Sequence, residues 1–302
     1  MIASSSCASA LLSFALQPAR KHTDPQSRET LEWIESRSPG CADWYTANKA
    51  AGRLRDTFII SDDGVRLHAL YGEASEESRR TAVIVHGYQS APEGLTMIAR
   101  MYRDSLGYNV LLPSLRRHGR SGGREVQMGW NDRLDVKNWC RVAHDIFSDT
   151  LQVCHGISMG GATVMMLSGE EDLPGYVRGI VEDCGYTSVW EEFDYLLRDS
   201  LKIKAPGLLQ HTDELCLKRY GWSFTQASSI DMVARSTVPM LFIHGSADTY
   251  VPPRMGEACY EAKTEGSKEL WITDGVTHAS SYTRYPDEYT QKVRRFLKEK
   301  VE

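Results

Sequence analysis

A chain of 302 residues, 41% hydrophobic and 25% charged, can build a full core and fits one large α/β domain or two small ones. Its formal net charge of −5 argues against a strongly basic surface and so against non-specific nucleic-acid binding. The seven cysteines are odd in number and form no CxxC pair, so reduced, mostly buried thiols are expected rather than a disulfide framework or a zinc site.

The opening stretch MIASSSCASALLSFALQPARKH is apolar but short, with no positive charge before its apolar part. It reads as a helix docked on the domain, and the tail of a removed anchor or export signal is the alternative. It falls short of the roughly 20 apolar residues of a membrane span, and no other stretch comes closer. A cytoplasmic protein is therefore expected, with a membrane-associated or exported one, its anchor missing or cleaved, as the alternative. Residues 24–51 are polar and partly helical, so 1–54 reads as a helical lead-in to a domain covering 55–302.

DTFIISDDGVRLHALYG (56–72) reads as two strands joined by an Asp-Asp-Gly turn. From there short β-rich runs alternate with longer amphipathic segments. TAVIVHG (81–87) is apolar almost throughout, as expected of a strand buried on both faces. APEGLTMIARMYRDS (91–105) looks helical, and YNVLLPS (108–114) is the next strand. Leu134, Val136, Trp139, Val142 and Ile146 suggest one apolar face of a helix over 131–147. Further strands are expected at LQVCHG (151–156), VRGIVEDC (177–184), VPMLFIHG (238–245) and KELWITDG (268–275), and a helix from Tyr285 to Val301 closes the chain. This alternation implies a mostly parallel sheet covered by helices. Residues 186–236 carry no clear strand and read as a small helical cap inserted into the sheet domain.

GISMGG (156–161) stands where a strand becomes a helix. Gly156-Ile157-Ser158-Met159-Gly160 fits G-x-S-x-G, in which small neighbours let strand and helix approach while a strained backbone holds the serine out. A serine hydroxyl needs a base, a group to orient that base, and donors aimed at the developing oxyanion. Of nine histidines, His278 lies in the loop after the last strand and is the expected base. His22, His68, His144 and His211 read as surface residues, His155 as a strand residue, and His86 and His244 as strand-end residues. Asp248, in a loop stiffened by Pro252 and Pro253, is the favoured orienting acid, with Asp183 at the end of an earlier strand as the contender. The N–H groups of Met159 and of Tyr88, which follows Gly87, are the expected oxyanion donors. Gly87, Trp130, Trp190, Phe193 and Tyr250 are candidate pocket residues. Asp132, Arg133 and Asp135 read as starting and pairing a helix.

HGYQSAPEG, LPSLRRHGRSGG, MGWNDRLD, GISMGGATVMM, EDCGYTSVWEEF, LFIHGSADTYVP and ITDGVTHA together resemble the α/β-hydrolase superfamily over roughly residues 55–300. More narrowly, the chain resembles a bacterial branch of serine hydrolases that are often exported or membrane-anchored and whose substrates are mostly unassigned. The resemblance implies an eight-stranded, mostly parallel sheet with a cap after the sixth strand, Ser158 as nucleophile, Asp248 as acid, His278 as base, and Tyr88 and Met159 at the oxyanion hole. Where that family reads Pro-Asp-x-Arg-Gly-His-Gly, this chain has Ser114 and Arg117 in place of an aspartate and a glycine. Arg117 reads as a surface residue, with contact to an anionic substrate group as the alternative.

The expected activity is hydrolysis of carboxylic esters of small to medium acyl groups through an acyl-enzyme, with no metal or organic cofactor. The expected partner is a small-molecule ester or amide, and the sequence specifies no oligomeric state. Amidase, peptidase or acyl-transfer activity on the same apparatus is the near rival, and a non-catalytic binding module the distant one.

Overall fold

The computed structural model describes residues 2–203 and 205–302, with side chains from residue 6 onward. Its sheet is built from β1 (Arg55–Ile60), β2 (Arg66–Gly72), β3 (Arg80–Val85), β4 (Asn109–Ser114), β5 (Leu151–Ile157), β6 (Val177–Asp183), β7 (Met240–Gly245) and β8 (Lys268–Thr273). The spatial order is β1-β2-β4-β3-β5-β6-β7-β8. β2 runs antiparallel to both β1 and β4, and every other pairing is parallel.

The helices follow as α1 (Ile2–Leu16), α2 (Arg28–Arg37), α3 (Cys41–Ala50), α4 (Thr96–Arg100), α5 (Asp132–Phe147) and α6 (Met159–Ser168). After β6 come α7 (Val189–Tyr195), α8 (Leu208–Tyr220) and α9 (Ser229–Arg235), and then α10 (Pro253–Ala262), α11 (Ser281–Arg284) and α12 (Pro286–Phe296). Among the described residues no helix is long and apolar enough to cross a membrane.

The apolar strands make sense as walls shared by two cores. Side chains alternate along a strand, so Val83 and Val85 of β3 enter one core while Ala82 and Ile84 enter the other. β7 divides the same way, Met240 and Phe242 on one face and Leu241 and Ile243 on the other. A strand with helices on both sides reads as a nearly continuous apolar run, as Ala82–Val85 of β3 and Met240–Ile243 of β7 do.

The expected lead-in segment is built into both cores. Leu12 and Leu16 of α1 are fully buried in the core that also holds α5 and α6. Ile34, Cys41 and Tyr45, from α2 and α3, belong to the core on the opposite face.

Three local expectations are corrected. The buried residues of α5 are Asp132, Asp135, Val136, Lys137, Trp139, Cys140 and Ala143, while Ile146 is exposed and Leu134 and Val142 are half-buried. Two acidic residues take inward positions because Asp132 Oδ2 accepts from Gly129 N at 2.9 Å and Asp135 pairs with the buried Arg116. The 91–105 helix is broken into a 3₁₀ turn, the short α4 and a wide turn over Met101–Ser105. His68 is buried rather than on the surface, with Nε2 2.8 Å from Asp56 Oδ1.

Glu182 of β6 generates a prediction about pH. Its side chain is fully buried, Oε2 accepts from Gly185 N at 2.9 Å, and Oε1 has no partner among the described residues. Burial pushes its carboxyl up from the usual 4.5 to about 8. Because the folded value exceeds the unfolded one, this group's contribution is complete below pH 4.5 and is lost as pH rises through about 8. Urea denaturation from pH 5 to 8 should show the stability of Glu182→Gln falling less steeply than that of wild type, by up to about 1.4 kcal/mol per pH unit. Parallel slopes would show that Glu182 does not ionise on unfolding.

Candidate active site

The site lies where β5 gives way to α6. Ser158 sits at φ 59 and ψ −121, a left-handed conformation unusual for a residue with a Cβ. The turn is held by Ser158 N donating to Asp183 O at 2.8 Å and by two close approaches. A Cβ at Gly156 would collide with the carbonyl of Gly160, and one at Gly160 with the carbonyl of Val85 at the end of β3. Glycine is required at both places because backbone, not a movable side chain, fills the space.

His278 reaches Ser158 from the loop after β8. Its Nε2 lies 2.8 Å from Ser158 Oγ and its Nδ1 2.7 Å from Asp248 Oδ2. That loop is fastened on two sides. Ala247 N donates to Val276 O at 3.0 Å, and the Arg37 guanidinium of α2 donates to Ala279 O at 3.2 Å.

Asp248 is equally constrained. Its Oδ1 accepts from Tyr250 N at 2.9 Å and Val251 N at 3.0 Å, leaving Oδ2 for the imidazole. Burial alone would push this carboxyl up, but hydrogen bonds from His244 and His278 hold it well below the usual carboxylate range. Asp183, the contender, makes no hydrogen bond to His278. Its Oδ2 accepts from Tyr289 OH at 3.0 Å, and burial pushes it up to about 6.

Tyr88 and Met159 line one cavity of about 100 Å³ together with Ser158. Met159 is the first residue of α6, so its N–H has no carbonyl four residues back within that helix. The loop carrying Tyr88 is pinned from below by two histidines. Gln89 N donates to His118 Nε2 at 3.0 Å, and Leu115 N donates to His86 Nε2 at 3.0 Å. Burial pushes both imidazoles down, His86 to about 3 and His118 to about 4, so both are neutral acceptors at neutral pH. Gly87 passes so near Ser158 that a Cβ there would lie 3.6 Å from its Oγ.

Phe193 and Tyr250 line the cavity, whereas Trp130 and Trp190 do not. Trp130 lies under the Arg133 guanidinium, 3.6 Å from its ring centre, in a separate surface cleft. Trp190 lines another cleft, beside Arg198 and Pro206. Arg117 is not among the residues lining the cavity beside Ser158. Its guanidinium donates to Arg124 O and Pro18 O, and its φ of 63 explains why a glycine suits this position in the resembling family.

Sequence reasoning missed one whole wall. Leu11, Phe14 and Ala15 of α1 line the cavity, and Ala15 O accepts from Tyr88 OH at 2.8 Å. It also missed the buried Glu192 of α7. The first had no signal beyond an apolar helix, and the second was hidden among acidic neighbours in VWEEFDY. Among the described residues, Cys184, Asp248 and His278 form a group able to hold a metal ion, their ligand atoms within 4.8 Å of one another. The Asp248 and His278 ligand atoms already face each other in the hydrogen bond above, and burial pushes the Cys184 thiol well up.

A doubly covered, mostly parallel eight-stranded sheet with a serine on a sharp strand-to-helix turn defines an α/β hydrolase. Residues 120–302 match the prolyl oligopeptidase family, and the chain belongs to it. The uncharacterized protein YqkD of Bacillus subtilis is 29% identical over 228 residues, covering 75% of this chain and 74% of its own. The uncharacterized protein YfhR of Escherichia coli K12 is 27% identical over 279 residues, 91% of this chain and 82% of that one. Among solved structures, the Pyrococcus furiosus esterase Pf2001 superposes with a TM-score of 0.68 at 21% identity, covering 84% of this chain and 96% of the other. The chain is accordingly a hydrolase by fold and family.

The packing of the turn is directly testable. Gly160→Ala drives a methyl into the Val85 carbonyl and should destabilise by about 2–3 kcal/mol or more. Gly175→Ala, with open space around its Cβ position, should stay within about 0.5 kcal/mol of wild type. Urea midpoints for the two variants check this, and a Gly160→Ala as stable as Gly175→Ala would contradict the close approach.

Proposed function

We propose that the protein is a serine hydrolase that cleaves carboxylic esters of small to medium acyl groups through an acyl-enzyme. Ser158 Oγ attacks the acyl carbonyl while His278 takes its proton, and the Tyr88 and Met159 N–H groups receive the oxyanion. His278 then gives the proton to the leaving alcohol. A water, deprotonated by the same imidazole, releases the acid and restores Ser158. Asp248 keeps the Nδ1 proton in place, so Nε2 faces the nucleophile, and its negative charge stabilises the imidazolium.

The observation that carries this reading is the unbroken chain Asp248 Oδ2, His278 and Ser158 Oγ, with links of 2.7 and 2.8 Å. The position of Ser158 at the N-terminus of α6 adds a favourable field for a developing anion. The cavity beside it is small and mostly apolar, which suits a short acyl chain. Residues 186–236, together with α1, act as the cap of the domain spanning 55–302. Hydrolysis of amides or peptides on the same apparatus is favoured by the family's name alone. Ester preference is supported by the esterase Pf2001, through a likeness that reaches only the fold.

Kinetics on p-nitrophenyl butyrate test the roles. Ser158→Ala should lower kcat by roughly 10⁶-fold and Asp248→Asn by roughly 10⁴-fold, whereas Asp183→Asn should cost less than tenfold. Residual Ser158→Ala activity within tenfold of wild type, or a larger loss for Asp183→Asn than for Asp248→Asn, would end the assignment. Faster turnover of matched anilides than of esters would move the activity to amides.

A further inference from the structure

Glu192 is an anomaly in the cavity beside Ser158. Its side chain is 2% exposed and lines that cavity, yet neither carboxyl oxygen has a hydrogen-bond partner among the described residues. The nearest base cannot serve it, because Arg254 pairs with the neighbouring Glu191, whose other oxygen accepts from Thr187 OH. No lysine, arginine or histidine side chain lines the cavity. A buried carboxyl left without a partner is costly to maintain, so the missing partner is sought in the ligand.

The surroundings specify its charge. Tyr88, Tyr186, Phe193 and Tyr250 line the same cavity, and aromatic faces attract cations. The nearby Asp248 adds a negative charge. An unpartnered carboxyl and four rings, with no basic side chain among the lining residues, suit an ammonium group. Beyond the two N–H groups beside Ser158, no lining side chain offers a ligand carboxylate or phosphate a positive partner.

We propose that the acyl group accepted by this site carries a protonated amine, received by Glu192 and the surrounding rings, so that its substrates are aminoacyl esters or amides. This rests on the hydrolase reading above and narrows its substrate class. Burial pushes the Glu192 carboxyl well above its usual range. Binding of an ammonium ion would ionise it, its proton leaving to solvent, and the attraction between the two charges is strengthened by the low-dielectric wall. α7 fixes the geometry from its first turn, where Ser188 Oγ accepts from Glu191 N at 3.0 Å and caps the helix one residue before Glu192.

The test compares two esters of one alcohol that differ only in ammonium against methyl: L-alanine 4-nitrobenzyl ester and isobutyric acid 4-nitrobenzyl ester. Wild type should favour the alanyl ester at least tenfold in kcat/KM, and Glu192→Gln should lower that ratio at least tenfold. A wild type that favours the isobutyryl ester, or a ratio unchanged by Glu192→Gln, would overturn the proposal. Binding can be read without turnover on the Ser158→Ala protein. n-Propylammonium should raise its melting temperature at concentrations where n-propanol does not, and equal shifts would likewise overturn the proposal. Should wild type hydrolyse neither ester while propylammonium still binds selectively, the hydrolase reading fails and the cation site stands.

Discussion

Everything at this site depends on how closely the backbone of α6 passes the end of β3. Gly160 meets the carbonyl of Val85 there, and Gly156 meets the carbonyl of Gly160, with no room for a Cβ at either position. That crowding forces Ser158 into its left-handed conformation, and the Ser158 N to Asp183 O bond holds it. The strain of one residue, of order 1–3 kcal/mol, is offset by the buried core on either side of the sheet. The serine oxygen is thereby presented at the carboxyl edge, where the loops after β7 and β8 bring a carboxylate and an imidazole to it.

Those loops are rigid for reasons that can be named. Asp248 spends one oxygen on two backbone N–H groups of its own turn, so its other oxygen is left to the imidazoles of His278 and, farther off at 3.5 Å, His244. The His278 loop is tied to the β7 loop and to α2, and the Tyr88 loop rests on two neutral histidines. The helices before β1 pack into both cores and reach the site as well. α1 walls the cavity, α2 steadies the histidine loop, and Arg117 grips Pro18 between them.

Much of this was legible in the chain. The strands announced themselves because a sheet covered on both faces calls for nearly continuous apolar runs, and the serine turn because steric crowding leaves only glycine. Asp248 and His278 were legible because each follows a strand that must end at the same edge. What was not legible followed from packing. The direction of α5's buried face was misread because Arg116 draws Asp135, an acidic residue, inward. Trp130 and Trp190 were plausible pocket walls by type, but their ring directions depend on helix placement that spacing does not carry. Glu192 could be separated from Glu191 only by seeing which of the two Arg254 reaches. The role of α1 was invisible because a helix whose apolar residues favour no single face gives no hint of what it covers.

The central claim is that the ordered imidazole makes Ser158 Oγ nucleophilic. It is tested most directly by treating wild type and His278→Ala with a fluorophosphonate and locating the adduct by peptide mass spectrometry. Stoichiometric phosphonylation of wild type on the peptide containing Ser158, with labelling of His278→Ala slower by at least a hundredfold, is the predicted result. A wild-type protein that stays unlabelled, or is labelled elsewhere, would contradict it.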